Sequence, residues 1–188
     1  MKSPCNNSHF DGVSGPHQPF LVSVRDKQNG TEAVLAVEWA TPLSVRPPLF
    51  GISVGPNKHT HDVIMRAGVF TVNVPSIEIL KQTWWVGTHT GRQHTAKIAD
   101  AGLTSRPGKT DAAAISIAEA IASFECKVVD EIKLGDHTLF VGEVRSVEAS
   151  DELFDDAKGM WIPEKLKNIY RVGYEAFVGS SNSVLKTE

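Results

Sequence analysis

The stretch VGPNKHTHD, residues 54–62, contains several side chains whose types could do chemistry. On a β-strand, His59 and His61 would lie on one face and could chelate zinc or iron. On a helix, residues two apart point in different directions. Thr60 precedes a predicted helix in the position of a capping residue, which makes His61 the first helical residue. The pattern therefore predicts two diverging imidazoles and no metal site.

The same stretch fits a phosphate better than a metal. A third metal ligand would have to come from His89, His94 or His137, and none of these stands at a recognised ligand spacing. A helix N-terminus offers free N–H groups and a partial positive charge, and Lys58 adds a full charge beside it. The segment THTGRQHTAK, residues 88–97, has the same character, so the two segments could hold one phosphate between them. Residue types alone leave a pair of solvated loops as the alternative.

The elements that would position these residues are mainly strands. Runs rich in β-branched and alternating apolar residues predict four of them, namely FLVSVRD (20–26), AVLAVEW (33–39), LFGISVG (49–55) and VFTVNVP (69–75). Asn29-Gly30 lies between the first two and is a strong hairpin signal. A second hairpin is predicted for SFECKVVDEI (123–132) and HTLFVGEVRSVEA (137–149), which the turn KLGD connects.

Helices are predicted between these strands, in HDVIMRAG (61–68), SIEILKQTWWVG (76–87) and RQHTAKIADAG (92–102). DAAAISIAEAIA (111–122) is ambiguous, because alanine favours helix while the residues that follow look extended. Strict strand–helix alternation is missing, so we do not expect a doubly wound parallel sheet. The pattern predicts a mainly β fold with inserted helices, a small barrel in a single domain (19–188) with an aromatic C-terminal tail, preceded by a flexible leader (1–18).

The composition excludes several classes of protein. A hydrophobic content of 41% and a charged content of 22% over 188 residues indicate an ordinary globular domain. The net charge of −3 gives no reason to expect a nucleic-acid partner. No apolar stretch approaches the roughly 20 residues needed to span a bilayer, so no membrane association is expected. Cys5 and Cys126 do not suggest a disulfide framework, and without a signal peptide we expect a cytoplasmic protein.

Four stretches, taken in order, resemble the flavin reductase-like family. They are AVEWATPLSVRPPLFGISVGPNKHTHDVI, GVFTVNVPS, GTHTGRQHTAKIADAGL and ECKVVDEIKLGDHTLFVGEV. The resemblance covers roughly residues 17–150 and is strongest to the flavoredoxin branch. It implies a six-stranded antiparallel split β-barrel, the FMN-binding split barrel, with FMN as the cofactor. It also implies a homodimer that binds FMN between its subunits.

The resemblance also assigns cofactor contacts. Thr60 corresponds to the family threonine that opens a helix and binds the FMN phosphate, the segment around Trp39 would run past the isoalloxazine ring, and Lys97 would lie beside the flavin. The cofactor-binding residues predicted in this way are Glu38, Trp39, Ala40, Thr41, Lys58, His59, Thr60, Gly91, Arg92, Lys97 and Tyr170, the last with Tyr174 as its alternative. Two positions depart from the family pattern, since Ala33 replaces an asparagine and Glu38 a serine. One flavin hydrogen bond is therefore expected to be missing or replaced.

The function that the resemblance implies is oxidation and reduction at a flavin. The first hypothesis is an oxidoreductase that takes a hydride from NADH or NADPH at FMN N5 and passes electrons onward. His137, which begins the last predicted strand after a Gly-Asp turn, is the predicted catalytic residue and would position the nicotinamide. The second hypothesis is a flavoredoxin-type electron carrier that a redox protein partner reduces. The third is a flavin-binding protein without catalysis.

Overall fold

A seven-stranded antiparallel sheet forms the centre of the computed structural model, which describes residues 2–180. The strands are β1 (Phe20–Arg25), β2 (Glu32–Val37), β3 (Ala40–Val45), β4 (Pro48–Val54), β5 (Val69–Val74), β6 (Ser105–Pro107), β7 (Ile115–Ile117), β8 (Ala122–Leu134), β9 (His137–Ala149), β10 (Phe154–Asp155), β11 (Met160–Trp161), β12 (Ile169–Gly173) and β13 (Ala176–Gly179). The α-helices are α1 (Phe10–Ser14), α2 (His59–Ala67), α3 (Leu80–Thr88) and α4 (Lys97–Asp100), and 3-10 turns lie at Asn7–His9, Ile77–Ile79 and Pro163–Lys165. The predicted mainly β fold with inserted helices is confirmed.

The number of strands in the main sheet differs from the prediction. The strand order is β2-β1-β5-β8-β9-β4-β3, and every neighbouring pair is antiparallel. The predicted count of six is wrong, since the sheet has seven strands and stays open between its edge strands β2 and β3 within residues 2–180. The unpredicted strand, β3, contains Pro42 and a register shift beside it. Proline is tolerated at sheet edges and bulges, so this strand lacks the usual sequence signal.

Both predicted hairpins are confirmed. β1 and β2 pair along their full length, and the turn between them contains Gly30 with a φ of +74°. β8 and β9 are 13 residues long each and reverse at Gly135, whose φ is +59°. A side chain is disfavoured at such φ values, so glycine lets the chain reverse without strain at both places.

Helix α2 begins earlier than the sequence pattern predicts. The Lys58 N–H donates to the Gly55 carbonyl at 3.0 Å and closes the preceding turn. Lys58 is therefore the extended residue before the helix, and the first helical residue is His59 rather than His61. Thr60 consequently lies inside the first turn instead of capping it. The helix ends at Gly68, as predicted, with that glycine in the left-handed region at φ 69°.

Two other segments differ in extent from their predictions. The helix predicted for 92–102 is reduced to the single turn α4, and the residues before it form polar turns in which the Arg92 N–H donates to the Thr90 hydroxyl at 3.3 Å. Such side-chain acceptors compete with the helical hydrogen bonds. The ambiguous segment 111–122 contributes the short strand β7, whose Ile117 N–H donates to the Asn73 side chain at 2.8 Å.

The helices cover both faces of the sheet. Ile64 of α2 packs with Val22 in one buried cluster, while Val86 of α3 packs with Leu21 in another. Leu21 and Val22 are neighbours on β1, so their side chains point to opposite faces. Every residue of β5, the strand next to β1 in the sheet, is buried. The ends of β2 and β4 line a cavity beside α3.

The segment before β1 lies against the end of β2. The Phe10 ring of α1 is 6.1 Å from the Trp39 ring, measured between centroids. His17 forms two backbone hydrogen bonds with Arg171 of β12, of 3.1 and 2.8 Å. The segment predicted as a leader thus contacts the domain that follows it, through Phe10 and His17.

Three further points concern membrane-spanning helices, the two cysteines and the C-terminal tail. Between residues 2 and 180, no helix is long and apolar enough to cross a membrane. Cys5 is exposed and Cys126 is buried, and neither forms a disulfide. Burial raises the pKa of the Cys126 thiol to about 12, which keeps it protonated and unreactive. Residues 181–188 of the predicted C-terminal tail lie outside the described residues.

Candidate functional site

Two cavities meet beside helix α3. The smaller, of about 250 Å³, is called the basic cavity and is lined by Leu35, Asn57, Lys58, His59, Thr60, Gly87, Thr88, His89, Thr90, Gly91 and Lys97. The larger, of about 390 Å³, is called the aromatic cavity, and its walls include Glu38, Trp39, Gly55, Thr83, Trp84, His137, Arg171 and Phe177. Leu35, Lys58, Gly87 and Thr88 line both. A single elongated ligand could therefore occupy the two together.

The first turn of α2 forms one wall of the basic cavity. Thr60, which is 3% exposed, lies in this turn beside Lys58 and His59. The amides at the start of a helix have no partners within it and carry a partial positive charge. Because Lys58 adds a full charge at the same end, this wall is suited to an anion.

Lys97 of α4 also lines the basic cavity and is 2% exposed. Its Nζ donates to the Val34 carbonyl at 3.0 Å. Burial, with a smaller contribution from the Lys58 charge, lowers the pKa of Lys97 to about 8. No carboxylate of the described residues lines this cavity. The cavity thus contains two cationic side chains that lack an acidic partner there, which a phosphate would supply.

The two histidines of the H-x-H pair diverge, as predicted. His59 lines the basic cavity, where burial and then the Arg92 charge lower the pKa of its imidazole. His61 points away, with its Nε2 3.0 Å from the Thr138 hydroxyl and its ring packed edge-to-face on Phe140. Within the described part of the chain, no group of three His, Cys, Asp or Glu side chains could hold a metal ion.

Gly91 also lines the basic cavity. The His59 imidazole occupies the space that a side chain at position 91 would need. A Cβ at this position would lie 2.8 Å from Cδ2 of the His59 imidazole. Real Cβ contacts are essentially never that short. Glycine at 91 therefore lets the polar segment before α4 approach the first turn of α2.

His137 lies in the aromatic cavity at the start of β9. The tight turn at Gly135 places it there, and its Nδ1 is 2.7 Å from a carboxylate oxygen of Asp136. That hydrogen bond lowers the pKa of Asp136. The His137 ring is 4.9 Å from the Trp39 ring, measured between centroids. The imidazole is thus held by a carboxylate on one side and an indole on the other.

A long-range ion pair lies at the far end of the aromatic cavity. Arg171 of β12 donates from Nη1 to Glu38 at 2.9 Å and from Nε to the Tyr174 carbonyl at 2.6 Å. A third cavity, of about 710 Å³, adjoins this pair and is bounded by the N-terminal segment and the β12–β13 hairpin. Asp11, Glu38, Trp39 and Arg171 line both this outer cavity and the aromatic one.

Some of the predicted site residues lie away from these cavities. Ala40 and Thr41 lie on the edge strand β3, and Tyr170 on β12 is half-buried; none of the three is among the lining residues. Arg92 is exposed and pairs with Asp62 of α2 at 3.1 Å. Tyr174, the alternative to Tyr170, lines the outer cavity. The structure therefore does not bring Ala40, Thr41, Arg92 and Tyr170 to the two cavities. It does bring together the other predicted residues, which are Glu38, Trp39, Lys58, His59, Thr60, Gly91, Lys97 and His137.

Sequence reasoning missed Arg171 and the residues contributed by α3. The face of α3 that lines the cavities contains Thr83, Gly87 and Thr88, at the spacing of one helical face. The spacing of these small and polar residues is a weak signal, in the sequence, that one face of the helix lines a cavity. Arg171, by contrast, is 133 residues from its partner Glu38, and no local pattern connects them.

Comparison with known sequences gives a family match and several relatives. The family model of the flavin reductase like domain matches residues 14–170. An uncharacterised protein of Pyrococcus abyssi is 35% identical over 161 residues, which cover 85% of this chain and 90% of that protein. A ferric-chelate reductase (NAD(P)H) of Archaeoglobus fulgidus is 27% identical over 128 residues, which cover 68% of this chain and 74% of that protein.

Comparison with solved structures supports the fold. The flavoredoxin of Methanosarcina acetivorans has a TM-score of 0.86 at 21% identity and covers 99% of this chain and 95% of its own. A flavin reductase with a split barrel domain from Shewanella frigidimarina has a TM-score of 0.85 at 20% identity. The match covers 98% of this chain and 93% of that protein. The fold is thus the split-barrel fold of flavin reductase-like proteins, with the seven-stranded open sheet described above.

Proposed function

Because the chain belongs to the flavin reductase-like family, we propose that it is an FMN-binding oxidoreductase. NADH or NADPH supplies a hydride, and the electrons pass onward to an acceptor. The observation that carries the proposal is the junction of a basic and an aromatic cavity, whose walls contain most of the predicted cofactor-binding residues. The similarity to a ferric-chelate reductase (NAD(P)H) supports a nicotinamide donor.

The residues present fit FMN. Lys58 and Lys97 face one cavity whose described lining has no carboxylate, and a phosphate would neutralise them. Thr60 and the amides at the start of α2 would hold the phosphate oxygens. The aromatic cavity next to it would take the ring, with Trp39 on one side. A flavin without a phosphate would leave the two lysines uncompensated, so the mononucleotide fits better than riboflavin.

The side chains around the aromatic cavity orient the reactants. FMN, when bound, supplies the ability to accept a hydride and release electrons. Asp136 holds Nδ1 of His137 at 2.7 Å, which leaves Nε2, on the side of Gly55, for the carboxamide of the nicotinamide. His137 thus positions the donor and transfers no proton in this step. The Lys97 ammonium favours negative charge in the adjoining cavity.

The test is the absorption spectrum of the purified protein, before and after addition of FMN and nucleotide. We expect a yellow sample, or an apoprotein that becomes yellow on addition of FMN, whose flavin absorbance bleaches on anaerobic mixing with NADH or NADPH. Free FMN under the same conditions is the control. A protein that neither contains nor takes up flavin would overturn the proposal. Bound flavin that both nucleotides leave oxidised would reject the nicotinamide donor but not the cofactor.

A second candidate function is electron transfer without a nicotinamide donor. The similarity in fold to a flavoredoxin favours it, and so does the aromatic contact from His137 through Trp39 to Phe10, whose side chain is 65% exposed. A redox protein partner would then reduce the flavin from the Phe10 surface. Stopped-flow reduction separates the two candidates, since slow bleaching with both nucleotides favours the carrier. A non-catalytic flavin-binding protein would show neither nucleotide oxidation nor redox cycling with a partner.

We also propose that the chain forms a homodimer. The hairpin of β8 and β9 exposes Val129, Ile132 and Leu134, and β9 exposes Val147. The hairpin thus leaves apolar side chains exposed along its length, and a partner subunit would bury them. Sedimentation equilibrium should give about twice the chain mass of 20.4 kDa at micromolar concentration. A monomer at that concentration would contradict the proposal.

A further inference from the structure

The outer cavity is the largest of the three cavities at the site, at about 710 Å³, which is within the range of sites for small organic ligands. It shares Asp11, Glu38, Trp39 and Arg171 with the aromatic cavity, where the flavin ring is proposed to lie. None of the residues that line the basic cavity lines the outer one. A second reactant could therefore bind beside the flavin ring without displacing the phosphate.

Two aromatic side chains at the outer cavity are accessible to a ligand. Trp39 is 40% exposed, although its ring packs on those of Phe10 and His137. Tyr174, in the turn of the β12–β13 hairpin, is 90% exposed, so almost all of its surface is open to solvent. Aromatic rings pack well on flat conjugated molecules. The cavity is therefore suited to a planar ligand.

The backbone of Tyr174 is strained. Among residues 2–180 it is the one non-glycine residue with a positive φ, of 44°. Glycine adopts this conformation at less cost, and the exposed tyrosine ring gains no burial that would compensate. Strained residues of this kind are often found at functional sites. Because the turn itself does not require a tyrosine, the strain indicates a role for the ring.

The charge of the outer cavity is opposite to that of the basic cavity. Its charged lining residues are Asp11, Glu38 and Arg171, with the histidines counted as neutral. Glu38 and Arg171 pair with each other at 2.9 Å, whereas the Asp11 carboxylate has no ion pair within residues 2–180. The outer cavity thus has one carboxylate in excess. An anion is drawn to the two lysines of the basic cavity instead, and an uncharged ligand fits the outer one.

Arg171 has further hydrogen-bond donors beside these rings. Of the five N–H groups of a guanidinium, one donates from Nη1 to Glu38 and one from Nε to the Tyr174 carbonyl. Within the described part of the chain the other N–H groups have no acceptor, and 32% of the side chain is exposed. A planar ligand with carbonyl oxygens would therefore find donors at the same place.

We propose that the outer cavity binds an uncharged planar quinone, which accepts the electrons of the reduced flavin. The inference deepens the proposed function and rests on it, since the flavin is the source of the electrons. Two electrons and the proton of the flavin N5–H bond pass to the quinone, a second proton comes from water, and the two O–H bonds of the hydroquinone form. The flavin returns to its oxidised state and the hydroquinone leaves.

Binding is tested first, with duroquinone as the probe. Each ring carbon of duroquinone bears a methyl group or an oxygen, so it does not add readily to the exposed thiol of Cys5. Calorimetric titration of the apoprotein and of the FMN-saturated protein gives two Kd values. We expect FMN to leave the Kd for duroquinone equal or to lower it, because the quinone occupies a different cavity. Absence of binding to both forms, or binding that FMN displaces, would overturn the inference.

Tyr174→Gly removes the ring at a position whose φ suits glycine, so the fold should be retained. We expect its Kd for duroquinone to rise by about tenfold, the upper value for one aromatic contact. Its urea midpoint should equal or exceed that of the wild type. Tyr174→Phe keeps the ring and should bind duroquinone as the wild type does. A lowered urea midpoint for Tyr174→Gly would assign the ring a structural role and overturn the inference.

Val178→Ala is the matched control on the same hairpin. Val178 of β13 is 46% exposed and is not among the residues that line the outer cavity. This variant should bind duroquinone with the wild-type Kd. An equal rise in Kd for Val178→Ala and Tyr174→Gly, or a wild-type Kd for Tyr174→Gly, would reject the outer cavity as the quinone site.

Electron transfer is tested independently of the nicotinamide. Bound flavin is reduced anaerobically with light and EDTA and is then mixed with duroquinone or with ferricyanide, a small hydrophilic anion. In Tyr174→Gly, the rate constant with duroquinone should fall by about tenfold relative to that with ferricyanide. Wild-type reduced flavin that duroquinone fails to reoxidise would overturn the inference alone. A protein that binds no FMN would overturn the proposed function and the inference together.

Discussion

Arg171 Nη1 lies 2.9 Å from Glu38 Oε2, and this ion pair joins two residues that are 133 positions apart in the chain. Both side chains are half-buried, with 32% and 23% of their surfaces exposed. The pair connects the β12–β13 hairpin to the end of β2 and so closes the aromatic cavity at its outer end. Glu38 is also the position at which the sequence resemblance leads one to expect a serine.

The Glu38–Arg171 pair should contribute measurably to the stability of the apoprotein. A double-mutant cycle of Glu38→Gln and Arg171→Met is expected to give a coupling free energy of about 1 kcal/mol, since partial burial strengthens the pair relative to surface pairs. Urea unfolding of the wild type, the two single variants and the double variant measures this coupling free energy. The matched control is Asp155→Asn with Lys158→Met, because Lys158 is 71% exposed, and its coupling should lie close to zero. Equal coupling in the two cycles would mean that the hairpin is not fixed by Arg171.

FMN affinity should depend on pH through Lys97. Its pKa in the free protein is lowered to about 8 by burial and by the Lys58 charge, and a bound phosphate dianion would raise it again. Binding then takes up a proton above pH 8, so affinity is highest below pH 8 and falls as the pH rises through it. Titrations of FMN between about pH 7 and pH 9.5 measure this dependence.

Two controls identify the group responsible for the pH dependence. Riboflavin lacks the phosphate and should show a much weaker dependence over the same range. Lys97→Met removes the titrating amine and should make FMN binding weaker at pH 7 and nearly independent of pH. A wild-type FMN affinity that stays constant from pH 7 to pH 9.5 would exclude Lys97 as a phosphate ligand.

Thr60→Ala should weaken FMN binding by about tenfold, because one hydrogen bond to a phosphate oxygen of roughly 1.5 kcal/mol is lost. The helix should remain, since α2 begins at His59 and Thr60 is not its cap. Thr60→Ser keeps the hydroxyl and should bind FMN almost as the wild type does. Equal affinities of the alanine and wild-type proteins in a fluorescence titration would assign the phosphate to other groups.

His137→Ala should slow flavin reduction and leave FMN bound. We expect a rate at least about tenfold lower, a barrier change of roughly 1.4 kcal/mol, because the nicotinamide loses its positioning group. Single-turnover reduction of bound flavin with excess nucleotide measures it. Asp136→Asn, which keeps the imidazole but changes the partner of its Nδ1, should have a smaller effect. A wild-type rate combined with lower stability would identify His137 as a structural turn residue.

Local sequence signals determined much of the fold and the α2 wall of the basic cavity. Asn29-Gly30 and Gly135 specify hairpin turns because few residues tolerate a positive φ, and Gly68 ends α2 for the same reason. Lys58 and Thr60 are two residues apart, so one helix start brings them together. Features of this kind depend on backbone preferences within a few residues, which a sequence displays directly.

Tertiary structure alone decided the burial of Lys97 and the pairing of Glu38 with Arg171. Lys97 follows a polar segment that looks solvated in sequence, and it is buried because α4 packs against β2 and its Nζ reaches the Val34 carbonyl. Strand β3 likewise forms despite Pro42 because β4 offers it an edge. Burial and hydrogen-bond satisfaction are set by segments that are far apart in the chain. No local propensity encodes which of those segments will meet.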